Sequence, residues 1–267
     1  MVVGRNYAVQ RMWSLAMETI VLVGGTGTVG QALAKGLSSL YKVIILDLND
    51  PKINQTNVYF QQANALSKNE LIQHIPSNSA ALINLLNTNT QNSLDETRFH
   101  EMTDLFFRSS YNVLQAAVEK QVPKVIFASS NHVTDKYEEE GKSQLKREIT
   151  TDDVPKSKGL YGVLKYASEQ LGILVSEQQN LSVVNIRIGS FPKDASKQAL
   201  IENKRLQHTL LTEQDLIQFF RLALESTRKT GTYYAVSDNE GKPWSTDGAE
   251  KELHFRSLRN AQDVLKE

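Results

Sequence analysis

The sequence predicts an α/β fold, a doubly wound parallel sheet with helices on both faces and a small C-terminal cap interleaved with it. Two observations carry this. Short strand-like runs, the first of them β-branched, alternate with stretches of helical period along most of the 267 residues, as strand, helix and strand do in a parallel sheet. A glycine-rich loop, Gly24-Gly25-Thr26-Gly27-Thr28-Val29-Gly30, separates the first such run from the first helical stretch.

Thr19 to Val23 is a β-branched run ending in glycines, and Val29 to Leu40 follows with apolar residues at helical spacing. Val43 to Leu46 reads as a second buried strand. Val58 to Phe60, Ala80 to Leu86, Val125 to Ala128 and Val183 to Ile188 are further strands, with helices expected near 67–75, 94–120 and 160–178. Asp135 to Lys158 breaks this rhythm. It carries Glu138-Glu139-Glu140 and Lys146-Arg147-Glu148 with almost no apolar period, so it reads as a surface excursion with solvated charge runs. A helix from Glu213 to Leu224 and a strand from Thr232 to Val236 complete the chain. The expected organisation is an extension over 1–17, with Met17 as a candidate start, and one domain over 18–267 whose substrate-binding part falls mainly in 189–267.

Composition narrows the function. Lys plus Arg and Asp plus Glu both number 30, so the formal charge is zero and no basic field calls for nucleic acid. The chain has no cysteine, which removes disulfides, thiolate ligands and a cysteine nucleophile and agrees with a reducing, cytoplasmic setting. No window reaches the roughly eighteen apolar residues of a membrane span. His74, His100, His132, His208 and His254 show no metal-ligand spacing, so no metal is expected.

The glycine loop lies where missing side chains allow a tight turn and close approach of backbone to a pyrophosphate, ahead of a helix N-terminus with unpaired amides. Gly24, Thr26, Gly27, Thr28, Val29 and Gly30 are therefore expected cofactor contacts in a Rossmann-type fold. Asp47 ends the second strand, 17 residues after Gly30, where an acidic side chain meets the adenosine ribose hydroxyls and repels a 2′-phosphate. NAD is expected over NADP. Asn64 and Leu85 are further expected cofactor contacts. Downstream, Tyr161 and Lys165 stand four apart on a helix and emerge from one face, where an ammonium would favour the phenolate.

With FASSNHV at 127–133, LYGVLKYASEQLG at 160–172 and RIGSF at 187–191, the chain resembles the extended short-chain dehydrogenase/reductase superfamily, in its NAD-dependent epimerase/dehydratase branch. Within that branch it is most similar to bacterial uronate dehydrogenases. The resemblance implies Tyr161 as general base, Lys165 as its activator, and Ser130 as the hydroxyl that hydrogen-bonds the reacting group. Asn89, Ser130, Asn131, His132, Ser190 and Arg205 fall where that family contacts its sugar acid, with Arg205 gripping the carboxylate. The implied reaction is oxidation of a uronic acid or related sugar at the anomeric hydroxyl to a lactone. A homodimer or higher homo-oligomer through the helices at 94–120 and 160–178 is also implied.

The chain departs from the family pattern at Phe106, where an asparagine is usual, at Leu86 and Asn87, which replace small residues, and at Asn89, which replaces a serine. Two other functions stay open. One is a nucleotide-sugar epimerase or dehydratase, although about eighty residues after Arg187 are few to hold a nucleotide diphosphate. The other is an NAD-binding sensor or scaffold without turnover.

Overall fold

Alternation within β1 (Thr19–Val23) sends Ile20 and Leu22 to one side and Val21 and Val23 to the other, and all four are buried. A strand buried on both faces belongs at the middle of a parallel sheet with helices on either side. The computed structural model, which describes residues 17–88 and 94–267, has that arrangement. Residues 1–16 of the expected extension and the candidate contact Asn89 lie outside the described residues.

After β1 come α1 (Thr28–Leu37), β2 (Lys42–Asp47), β3 (Val58–Gln62), α2 (Lys68–His74), β4 (Ser79–Asn84), α3 (Glu96–Met102), α4 (Ser109–Glu119) and β5 (Lys124–Ser130). A two-stranded hairpin, β6 (Glu138–Glu139) and β7 (Lys142–Ser143), precedes the long α5 (Leu160–Gln178) and β8 (Ser182–Ile188). The C-terminal part holds α6 (Lys197–Glu202), α7 (Lys204–Thr209), α8 (Glu213–Glu225), β9 (Thr230–Ala235), α9 (Asp247–Leu253) and α10 (Ala261–Lys266). Seven parallel strands run in the order β3-β2-β1-β4-β5-β8-β9. The chain winds outward from β1 in one direction and then crosses to β4 and winds in the other. A crevice opens outside the carboxyl ends of strands at such a reversal.

Two apolar layers flank the sheet. On one face Leu33 and Leu37 of α1 meet Leu216, Phe219 and Phe220 of α8. On the other, Leu71 of α2, Val113 and Leu114 of α4, and Val175 of α5 pack together. Truncating a fully buried ring such as Phe219 to alanine would cost about 3–5 kcal/mol. Because α8 covers the sheet and β9 extends it, the C-terminal part is interleaved with the main fold, as the sequence predicts. Lys124 fixes that joint: its buried ammonium donates to the carbonyls of Ala223 (2.8 Å), Leu224 (2.6 Å) and Ser226 (2.5 Å). A cation there satisfies the open carbonyl end of α8.

Two expectations need correction. The helix expected over 94–120 is interrupted by a π-helical segment, Thr103–Arg108, onto which the Ser109 and Ser110 hydroxyls at the start of α4 donate back, to the Leu105 and Phe106 carbonyls. Apolar period does not show such a widened turn, which is stabilised by local side-chain bonding. The second correction concerns 135–158, which is not a wholly solvated excursion. Asp135, Glu138 and Ile149 are buried, and Ile149 pairs with Trp244 through Ile149 N–H to the Pro243 carbonyl (2.7 Å) and Ser245 N–H to the Ile149 carbonyl (2.9 Å). Its apolar residues are too sparse for a period, yet single ones plug a small cluster with Tyr234 and Val236.

Candidate active site

Strand β1 ends directly in the glycine loop, and Gly24 holds a φ of +78°, a conformation that a side chain at this position would strain. Gly30 is fixed by crowding, because a Cβ there would lie 2.3 Å from the Gly25 carbonyl oxygen. Gly27 differs: a Cβ there would meet nothing within 4 Å. It is the N-cap of α1, has no side chain to close the helix end, and is followed by a first turn without acidic residues. The open amides and positive helix end fit a pyrophosphate.

A groove runs both ways from this loop. On one side it is lined by Asp47, Leu48, Ala63, Asn64, Leu66 and Leu85, a cleft that fits an adenosine. Asn64 is held by its backbone N–H to Glu70 (2.9 Å) and by its side-chain oxygen accepting from Leu66 N–H (3.0 Å). On the other side Gly24, Gly27, Thr28, Val29, Gly30 and Leu85 share a cavity with Ser130, Asn131, His132, Tyr161, Lys165, Ser190 and Arg205. The structure thus brings together every expected site residue within the described part of the chain. Leu86 and Asn87 also line this groove, and the Leu86 backbone lies 2.9 Å from where a Gly24 Cβ would be.

At the end of β5, the Ser130 hydroxyl donates to Asn131 Oδ1 (3.2 Å) and accepts from His132 N–H (3.2 Å), in the same cavity as the Tyr161 phenol. Lys165 follows one turn after Tyr161 on α5 and donates to the carbonyls of Ala128 (2.8 Å) and Leu86 (3.2 Å). Its ammonium stands 4.8 Å from the centre of the Phe106 ring and 5.7 Å from that of Tyr161. Phe106 packs edge-on to Tyr161 at 5.1 Å, so a ring fills the space beside both groups.

The electrostatics correct one expectation. Burial pushes the Tyr161 phenol up to about 12, against a smaller downward pull from the Ser130 hydroxyl, rather than toward neutrality. Burial also lowers Lys165 to about 7, partly offset by the Glu169 carboxylate. Burial thus opposes the charged form of both side chains, the phenolate and the ammonium.

Below these residues lies a buried network that motif reading missed. Glu169 accepts from Ser129 Oγ and from Arg187 Nε (3.0 Å) and Nη2 (2.8 Å), Arg187 Nη1 donates to Tyr234 Oη (3.2 Å), and that hydroxyl bonds Thr134 (2.6 Å). The signals were present: Glu169 lies four residues after Lys165 on the same helix, and Arg187 is a charge inside an otherwise apolar strand.

Away from the glycine loop the cavity is bounded by the loop after β5 and by the stretch after β8. His132 Nδ1 pairs with Asp135 (2.9 Å), whose other oxygen accepts from Lys158 N–H (2.5 Å). Ser190 bonds Thr209 (2.8 Å) and accepts from Arg205 Nη1 (3.2 Å). Arg205 does face the cavity, but its Nε and Nη2 already donate to the two oxygens of Glu138 at 3.0 and 2.8 Å.

The model of the NAD dependent epimerase/dehydratase family matches residues 20–191. An uncharacterized protein of Bacillus subtilis, YtbQ, is 44% identical over 94% of this chain and 98% of its own length. An NAD-dependent glucose-6-phosphate dehydrogenase of Haloferax volcanii is 28% identical over 92% of this chain and 95% of its own. Among solved structures, a mutant of uronate dehydrogenase from Agrobacterium tumefaciens complexed with NAD superposes with a TM-score of 0.79 at 18% identity, covering 94% of this chain and 88% of that one. At that identity the superposition speaks for the fold. The family match and the groove with its open helix end agree, and the chain belongs to the NAD-dependent epimerase/dehydratase family of oxidoreductases.

Proposed function

We propose that this protein is an NAD-dependent dehydrogenase that oxidises a sugar or sugar acid at its anomeric hydroxyl to the lactone. The observation that carries the reading is the convergence of Ser130, Tyr161 and Lys165 where the nucleotide groove opens into a polar cavity bounded by Asn131, His132, Ser190 and Arg205. NAD, when bound, supplies the hydride acceptor. Tyr161 Oη takes the hydroxyl proton, and Ser130 Oγ holds the substrate oxygen in line with it. Lys165 borders the groove at the Leu86 carbonyl, where it can orient a ribose hydroxyl. Its charge counts in full only when an occupied site keeps it protonated.

The names of the relatives point the same way, since they include glucose-6-phosphate and L-arabinose 1-dehydrogenases of Haloferax volcanii and uronate dehydrogenases of Pseudomonas. The uronic-acid version of this reading rests on Arg205. Self-association is supported by the exposed side chains of Phe99, Phe107, Tyr111, Val163 and Leu174 on α3, α4, α5 and the segment between them. Among the described residues no helix is long and apolar enough to cross a membrane.

The test is a screen of purified protein with NAD against aldoses, uronic acids, sugar phosphates and nucleotide sugars, following NADH by absorbance. Reduction with a free sugar and appearance of its lactone is the expected result. Reaction with nucleotide sugars alone would replace this reading by the epimerase one. NAD binding without any reaction would replace it by the sensor.

A further inference from the structure

Glu138 belongs to the charge run at 138–140, yet it is buried while Glu139 and Glu140 are exposed. It sits on the short hairpin after β5, clasped by Gly141 N–H at 2.6 Å on one oxygen and by both Arg205 donors. Burial alone would push its carboxyl upward, but the Arg205 hydrogen bonds, the Gly141 amide and the nearby charges of Arg205 and Lys158 outweigh that and hold it below the usual carboxylate range. Glu138 is therefore an anion in the folded protein.

A bidentate carboxylate on Arg205 is what a uronic acid would supply, and here the chain supplies it. Three of the five guanidinium N–H groups are engaged, by Glu138 and Ser190. The remaining two can donate to sugar hydroxyls. A second carboxylate there would share one cation with Glu138 and lie close to a like charge. Among the described residues lining the cavity, Lys165 is the only other lysine or arginine, and it lies at the nucleotide groove. Lys158 is exposed, outside the cavity lining, and occupied at the Glu138 backbone carbonyl (2.8 Å).

We propose that Glu138 is a built-in carboxylate that neutralises Arg205 and makes this site select an uncharged aldose over the corresponding uronic acid. The proposal rests on the reading of this cavity as a sugar dehydrogenase site and names its substrate class. Glu138 acts through Arg205, as a specificity-determining and positioning residue. In the ground state Arg205 then presents hydroxyl-binding donors without net charge.

The experiment uses sugar pairs that differ only in carrying a hydroxymethyl group or a carboxylate at C6: glucose with glucuronate, galactose with galacturonate. Each is titrated into the full chain saturated with NADH, and turnover with NAD is measured in parallel. The parent should bind at least one neutral sugar about tenfold or more tighter than its acid, a difference of about 1.4 kcal/mol. Glu138→Gln, which keeps shape and one acceptor but removes the charge, should shift that ratio toward the acid by about tenfold or more.

A parent that binds the acid as tightly as the sugar overturns the proposal, as does a Glu138→Gln ratio within about twofold of the parent. NADH affinity and circular dichroism report whether the variant folds. Should it not fold, Glu138→Asp, which keeps the charge, must still exclude the acid, and loss of exclusion there overturns the proposal. Neutral sugars bound but not oxidised would end the dehydrogenase reading and leave the selectivity standing. Binding of neither class overturns the selectivity itself.

Discussion

Asp47 Oδ2 accepts hydrogen bonds from both the backbone N–H (3.1 Å) and the hydroxyl (2.7 Å) of Thr26, while Oδ1 accepts from Leu48 N–H (2.7 Å). The end of β2 is thereby tied to the glycine loop. A carboxylate has about four acceptor positions, so about one remains on Oδ1 for a ribose hydroxyl. The residue expected to read the ribose also holds the phosphate loop in place.

That double role shapes the first prediction. NAD should bind about tenfold or more tighter than NADP, because a 2′-phosphate would face the Asp47 charge. Asp47→Ala should narrow the gap and also weaken NAD, since Thr26 is released. Fluorescence titration with both nucleotides measures this, and equal binding by the parent would count against it.

Tyr161→Phe should lower kcat by about two to four orders of magnitude, the usual contribution of a positioned proton acceptor, with NAD affinity within a few-fold of the parent. Because burial holds the phenol near 12 in the free protein, the parent's kcat/KM for oxidation should rise with pH well above neutrality. A profile already flat at neutral pH would show that another group takes the proton.

Lys165 gives a stability prediction. Its folded value near 7 lies below the ordinary lysine value of 10.5, so between these limits the unfolded chain binds more protons. Stability of the free protein should therefore rise with pH through that window, by on the order of a few kcal/mol in total. Urea denaturation at a series of pH values checks the sign. Lys165→Met should flatten the dependence.

The Glu169–Arg187 pair is buried on both sides, at 1% and 3% side-chain exposure. Removing one partner leaves an uncompensated charge in the core, so Glu169→Leu should destabilise by about 3–5 kcal/mol. Replacing both by apolar residues of similar size should recover much of that loss. Urea midpoints of the single and double variants would expose a purely additive response, which would mean that the pair is not coupled.

The sheet was legible in the sequence because its inner strands are short, mostly apolar runs set between helical stretches, from Thr19–Val23 to Ser182–Ile188. The glycine loop was legible from its place between a strand and a helix, whereas Ser130, Tyr161 and Lys165 stood out through the resemblance carried by FASSNHV and LYGVLKYASEQLG. The π turn at 103–108 left no period. Glu138 was hidden for a different reason: its burial depends on Arg205, which lies 67 residues away. No local pattern can distinguish such a glutamate from its exposed neighbours Glu139 and Glu140.

Among the attachments of the 135–158 stretch, one reaches the wall of the cavity through Glu138 and Arg205 and another, the bridge between Ile149 and Trp244, reaches the C-terminal part. Surface loops elsewhere absorb changes in length with little effect. Here a residue gained or lost between Glu138 and Ile149 would pull on the hairpin and tilt the Arg205 fork. On the proposal that Arg205 meets the sugar, insertions and deletions in this stretch would, over evolutionary time, be read out as changed substrate preference.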